Sequence, residues 1–160
     1  MRQSRPMSQL DPKVMTVRGP VAPAELGLTS LHEHILCDLS ACYRDRFRKI
    51  LPADMEMPDG PFGLEVRSTL RHAMLLSSSN LRLDDERVMT AEVADFAAAG
   101  GGAIVETGSP GIRTGDDVMA FARMSQATGV HIVACTGLYA EDSWPERFRG
   151  LSEAQYADYL

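Results

Sequence analysis

From Asp84 onward one unit recurs: an amphipathic helix closed by a glycine, then a short apolar strand stopped by glycine or proline. Asp84 stands where a helix cap is needed, and Asp85 and Glu86 suit the positive end of that helix. Met89, Val93, Phe96 and Ala97 recur at helical spacing as one apolar stripe, and Gly100 marks the end. Ala103-Ile104-Val105-Glu106-Thr107 reads as a strand, stopped by Gly108, Pro110 and Gly111. Thr114 and Asp117 then form a capping box, Val118, Phe121, Ala122 and Ser125 an inward stripe, and Gly129 a second helix end. Val130-His131-Ile132-Val133-Ala134-Cys135-Thr136 is the next strand, stopped by Gly137. Beyond a loop carrying Tyr139, Trp144 and Pro145, Ser152 and Gln155 cap a further helix. Strands alternating with such helices imply parallel pairing and right-handed crossovers. Two α/β arrangements satisfy this: an open doubly wound sheet, or part of a (β/α)8 TIM barrel.

Upstream, Val14-Met15-Thr16-Val17 is a β-favouring run, punctuated by Gly19-Pro20, Pro23 and Gly27. It reads as a hairpin-like lead-in to the stretch Leu28-Thr29-Ser30-Leu31-His32-Glu33-His34-Ile35-Leu36-Cys37-Asp38. On a regular strand His32 and His34 project from one face and Glu33 from the other. Two neighbouring neutral imidazoles are a common means of holding zinc or a similar divalent ion. The same spacing also serves a pair hydrogen-bonded to nearby polar groups. After Asp38 the chain is poorly patterned as far as Asn80, with helical turns expected within 44–51 and a helix over 64–76. Arg44, Arg46, Arg48 and Lys49, with Asp45 among them, read as a solvated face, and His72 has no partner at ligand spacing. Residues 1–12 read as a flexible tail and 13–160 as one domain.

At 160 residues the chain can build a single core. Its net charge of −6 and the absence of a basic patch argue against a nucleic-acid partner. No apolar run is long enough to span a bilayer, so no membrane partner is expected. Three cysteines without framework spacing point away from a disulfide scaffold and toward reduced thiols in the cytoplasm.

In either arrangement, functional groups gather at the carboxyl ends of the strands. His32, His34 and Glu106 lie there, whereas His131 opens its strand and is assigned a structural place at the opposite rim. Glu106 has two readings: a ligand, base or histidine-orienting group, or a rim carboxylate paired with an arginine or backbone amide. The loop Gly108-Ser109-Pro110-Gly111-Ile112-Arg113-Thr114-Gly115 lacks the lysine of a phosphate-binding loop, and Asp116 and Asp117 follow it, so it reads as a turn. Cys37 and Cys135 lie at the edges of apolar runs and read as small buried hydrophobes. Tyr139 and Trp144 either wall a substrate site or anchor their loop.

Together Met15-Thr16-Val17-Arg18-Gly19-Pro20, Glu25-Leu26-Gly27, Thr29-Ser30-Leu31-His32-Glu33-His34, Asn80-Leu81-Arg82-Leu83-Asp84-Asp85, Gly101-Gly102-Ala103-Ile104-Val105-Glu106-Thr107 and Gly129-Val130-His131-Ile132-Val133-Ala134-Cys135-Thr136-Gly137-Leu138-Tyr139 resemble the opening of the phosphotriesterase-like branch of the amidohydrolase superfamily. The resemblance implies a partial TIM barrel, its first three β/α units, belonging to a metal-dependent hydrolase. It implies a divalent metal, usually zinc, in a one- or two-metal (binuclear) centre, with His32 and His34 on the more buried ion. It implies a small-molecule substrate, a phosphate ester, lactone or related ester, attacked by metal-bound hydroxide. Tyr139 and Trp144 match the family's substrate-facing aromatic residues after the third strand, and Glu106 is not a ligand in that pattern.

In that family the other ligands are a carbamylated lysine or glutamate from the fourth strand, histidines from the fifth and sixth, and an aspartate from the eighth. A whole barrel takes about 250 residues. The chain is therefore expected to be an amino-terminal fragment with an incomplete centre and no hydrolytic turnover of its own. It would assemble as a homo-oligomer or with a complementary C-terminal chain. The alternatives are a non-catalytic remnant or assembly module that binds metal weakly, and an open-sheet domain that takes a small ligand at its strand ends.

Overall fold

The computed structural model describes residues 12–40, 79–113 and 118–160, together with positions 63, 64, 67, 70, 71, 74 and 77. The tail before position 12, the turns expected in 44–51, most of the helix expected over 64–76, His72 and the Thr114–Asp117 cap lie outside the described residues.

The chain enters through an antiparallel hairpin, β1 (Val14–Thr16) and β2 (Gly19–Val21), as its β-favouring run and Gly-Pro turn imply. A 3-10 turn at Pro23–Glu25 leads into β3 (Leu28–Glu33). The short strands β4 (Cys37–Asp38) and β5 (Arg82–Leu83) pair antiparallel with each other. Then come α1 (Glu86–Ala98), β6 (Gly101–Glu106), α2 (Val118–Thr128), β7 (His131–Ala134) and α3 (Glu153–Tyr159). β3, β6 and β7 form one parallel sheet in that order. This is the strand–helix alternation legible in the sequence, with each parallel neighbour reached through a helical crossover.

The core lies between the sheet and its helices. Val93 of α1, Phe121 and Met124 of α2, and Ile104 and Ile132 of the strands form one buried cluster, with Met89, Phe96 and Ala97 packed against it. The α1 stripe is the expected one. The α2 stripe is rotated: Ala120, Phe121, Met124 and Ser125 are buried, whereas Val118 is 40% exposed. Turning Met124 inward in place of Ala122 removes more apolar surface from water, and the buried Ser125 hydroxyl is satisfied by donating to the Val130 carbonyl. The α1 cap also differs by one residue. Asp85, not Asp84, accepts from the Val88 amide at 3.0 Å, and Asp84 instead pairs with Arg82 at 3.4 Å. The Ser152–Gln155 capping box of α3 forms as expected. No helix among the described residues is long and apolar enough to cross a membrane.

Candidate active site at the strand ends

β3 is not a regular strand where it carries the histidines. Ser30 pairs with Ile104 and Glu33 with Glu106, so Leu31 and His32 together stand opposite the single residue Val105. A bulge of this kind leaves one residue unpaired and re-aims side chains, and such bulges are frequent beside active sites. The strand ends at Glu33, and His34 follows directly at its carboxyl end. The two imidazole rings lie 5.8 Å apart, centre to centre, and nearly perpendicular. His32 is exposed and His34 half-buried. Nδ1 of His34 is buried and has no hydrogen-bond partner among the described residues. Burial, reinforced by the nearby His32 and opposed by Glu33, lowers the His34 pKa below its ordinary value. His34 is thus neutral at physiological pH, the form in which an imidazole lone pair is available.

Glu33 accepts from the Ser30 hydroxyl at 2.6 Å. With His34 and Ile35 it borders a groove of about 190 Å³ against Met89, Val93 and Phe96 of α1. Among the described residues, no group of three or more His, Cys, Asp or Glu side chains is placed to hold a metal ion. The histidine pair therefore fits two donors of a metal site, against the three or four protein ligands that zinc takes.

Of the two readings open for Glu106, its contacts are those of the rim carboxylate. Its side chain is completely buried, Oε1 accepts from the Gly108 amide at 2.8 Å, and Oε2 lies 3.9 Å from Nε of Arg113. Burial pushes its pKa up to about 7, against the opposing pull of the Gly108 amide, Arg113 and the Ile35 backbone. Arg113, itself buried, donates through Nη2 to the Cys135 carbonyl at 3.2 Å and lies over the Phe121 ring. Sequence reasoning anticipated an arginine partner without identifying Arg113. Six residues of irregular loop separate the two, and no periodicity reports such a contact.

Residues 108–113 form a turn, with the Ile112 and Arg113 amides donating to the Ser109 carbonyl. Gly111 is obligatory there: its φ is +93°, and a Cβ would collide with the Ser143 carbonyl. Tyr139 is 60% exposed on the loop after β7. Trp144 donates from Nε1 to the Tyr139 carbonyl at 2.9 Å, and its ring meets Tyr156 of α3 edge-on at 5.8 Å. Trp144 thus anchors the loop, and Tyr139 is the aromatic left facing solvent. Cys37 is a buried free thiol, as expected, and Cys135 is half-buried. Burial, with Glu106 nearby, raises the pKa of both thiols, which disfavours a nucleophilic role. His131 opens β7 opposite Ala103, at the end of the sheet away from Glu106.

The chain matches the model of the phosphotriesterase family over residues 12–158. It is 35% identical over 156 residues to the N-acetyltaurine hydrolase of Tetraodon nigroviridis, covering 96% of this chain and 43% of that protein. Its fold superposes on a resiniferatoxin-binding protein from Rhodobacter sphaeroides with a TM-score of 0.78 at 34% identity, covering 91% of this chain and 39% of that one. A lactonase from Listeria monocytogenes superposes with a TM-score of 0.54 at 27% identity, covering 83% and 30% respectively. The chain thus spans less than half the length of the curated relatives it matches. These neighbours are TIM-barrel proteins, which decides between the two arrangements left open by the strand–helix alternation. The parallel β3-β6-β7 sheet corresponds to the first three β/α units of such a barrel, and this chain belongs to the phosphotriesterase family.

Proposed function

We propose that these residues form the amino-terminal part of a metal-dependent hydrolase centre that cleaves a small-molecule carbonyl substrate: an ester, a lactone or an N-acyl amide. The single observation that carries this is the pair of adjacent imidazoles at the carboxyl end of β3, one of them with a buried nitrogen that has no hydrogen-bond partner among the described residues. The lactonase and N-acetyltaurine hydrolase relatives support a carbonyl rather than a phosphorus centre.

In this reading His32 and His34 hold the divalent metal, zinc by preference for imidazole donors. When bound, such an ion supplies Lewis acidity and a water acidified toward neutral pH. The burial of His34 keeps its imidazole unprotonated and so ready to donate its lone pair. Tyr139 offers an exposed aromatic wall to the substrate, while Trp144 fixes its loop on α3. The remaining donors come from a complementary C-terminal segment or chain, because two imidazoles alone bind zinc weakly. The free thiols of Cys37 and Cys135 support a reducing compartment such as the cytoplasm as the place where the protein works. A second reading, a weakly metal-binding assembly module, is favoured only by the two-donor count among the described residues.

Zinc titration by calorimetry, with activity assays on a lactone and an N-acyl amide, tests the proposal. The 160-residue chain should bind zinc weakly, lose that binding in either His32→Ala or His34→Ala, and show no turnover alone. Undiminished zinc binding in both variants would sink the metal assignment. Zinc-dependent turnover by the isolated chain would show that the centre is not incomplete.

A further inference from the structure

His32 sits on an exposed, bulged strand and His34 just past its end, yet the backbone on either side of His34 is held at two points. On the near side, the Glu33 carbonyl accepts both from the Thr107 amide at 2.9 Å and from the Thr107 hydroxyl at 3.1 Å. On the far side, the chain runs through buried Ile35, Leu36 and Cys37 into β4. There the Asp38 amide donates to the Ile112 carbonyl at 2.7 Å, and Cys37 forms an antiparallel bridge with Arg113. Both anchors belong to the segment that follows β6.

Within that segment one carboxylate makes the decisive contacts. Glu106 receives the Gly108 amide and faces the Arg113 guanidinium, and Arg113 in turn reaches the Cys135 carbonyl at the end of β7. A Cβ on residue 108 would press against Glu106 Oε1, so the turn wraps closely around the carboxylate. Burying a carboxylate and a guanidinium is costly, and well-packed apolar residues often replace such a pair without loss of stability. What apolar residues cannot do is fix the direction of a loop through hydrogen bonds.

We propose that Glu106 and Arg113 are positioning residues: they lock the loop after β6, which together with Thr107 clamps the backbone on both sides of His34 and so holds the two imidazoles adjacent. Neither residue touches the metal. The inference rests on reading His32 and His34 as the donors, and it adds a reason for their geometry that lies on another strand. Groups hydrogen-bonded directly to a metal ligand alter affinity by roughly 10- to 100-fold when removed, and Glu106 and Arg113, which act through the backbone, are expected at the low end of that range.

The test combines amide hydrogen exchange, which needs no metal, with zinc titration of the same 160-residue chain. In Glu106→Ala the Asp38 amide should exchange at least 10-fold faster while the Val133 amide in β7, on the side of the strand that pairs with β6, keeps its protection, and zinc should bind about 10-fold more weakly. Glu106→Gln, which keeps an acceptor for the Gly108 amide, should restore both. Unchanged Asp38 exchange in Glu106→Ala overturns the proposal. So does a uniform loss of protection across the sheet in both variants, since that marks a merely structural pair. Loosening of Asp38 with zinc affinity intact also overturns it, provided His32→Ala abolishes zinc binding, and then the hydrolase reading survives. If His32→Ala leaves zinc binding unaltered, the metal reading fails, and the Asp38 exchange alone decides whether Glu106 holds the loop. Should Glu106→Ala fail to fold, Thr107→Val removes one bond to the Glu33 carbonyl without touching the buried pair. It must by itself weaken zinc, and unchanged affinity there overturns the proposal.

Discussion

β3 and β6 lie side by side in one sheet and could hardly be more different. β6 pairs on both sides, in unbroken register with β7, and buries Ala103, Ile104 and Glu106. β3 pairs with one strand of the sheet, shifts register twice along six residues, and leaves Leu31 74% exposed. The stable strand carries the packing, and the irregular one carries the histidines. A strand with so little burial does not hold its own shape, so its functional end is set by hydrogen bonds from the segment after β6. The division is physically sensible. Regular pairing maximises burial, whereas aiming two rings at one point calls for a bulge that regular pairing forbids.

The contrast can be broken most sharply in the core. Phe121 is fully buried beneath β6 and β7, so Phe121→Ala should cost about 3–5 kcal/mol in denaturant unfolding. A cost near that of a surface change would mean that the core is not where the packing places it.

An intermediate effect concerns Glu106, whose pKa of about 7 in the folded chain exceeds the ordinary 4.5. The folded state holds a proton that the unfolded chain releases. This contribution is complete below the ordinary value and is lost as pH rises through about 7, a change of roughly 3 kcal/mol. Arg113 faces the group, with Cys37 and Cys135 nearby, and their raised thiol pKa values place their titration above this window. His34 works in the opposite sense, since its lowered pKa costs stability as pH falls. Urea midpoints of the metal-free chain from pH 5 to 8, with Glu106→Gln as reference, isolate the carboxylate. Gln cannot ionise, so the variant should lack the fall with rising pH that Glu106 contributes, and identical slopes in the two proteins would refute the assignment.

The smallest effect belongs to β3. Leu31→Ala should change stability by no more than about 0.5 kcal/mol, as expected of an exposed side chain. A loss of several kcal/mol would show that β3 is buried in solution, for instance against a partner chain, and would remove the contrast between the strands.

Local signals in the sequence were reliable wherever a single element decides the outcome. The Gly100 and Gly129 helix ends, the Ser152–Gln155 box and the Met89–Val93–Phe96 stripe are each set within one or two turns of chain, and all appear as read. The signals weakened where neighbours compete. Asp84 and Asp85 are equally good caps in isolation, and Arg82 drew Asp84 away. Val118 and Met124 are both plausible inward residues, and packing against the sheet buries Met124 and leaves Val118 exposed. The bulge in β3 left no mark in composition, because it arises from the register against β6.

Residue order by itself determined the alternation of parallel strands and helices, the glycine-marked ends of α1 and α2, the capping box that starts α3, and the presence of two imidazoles one residue apart. These depend on periodicity and capping, which act over a few residues. Only the tertiary structure decided that Glu106 would meet Arg113, that Trp144 would turn to α3, and that the segment after β6 would grip the chain around His34. Such contacts join residues on different elements, and their energies exist only once packing has excluded water and brought the partners together.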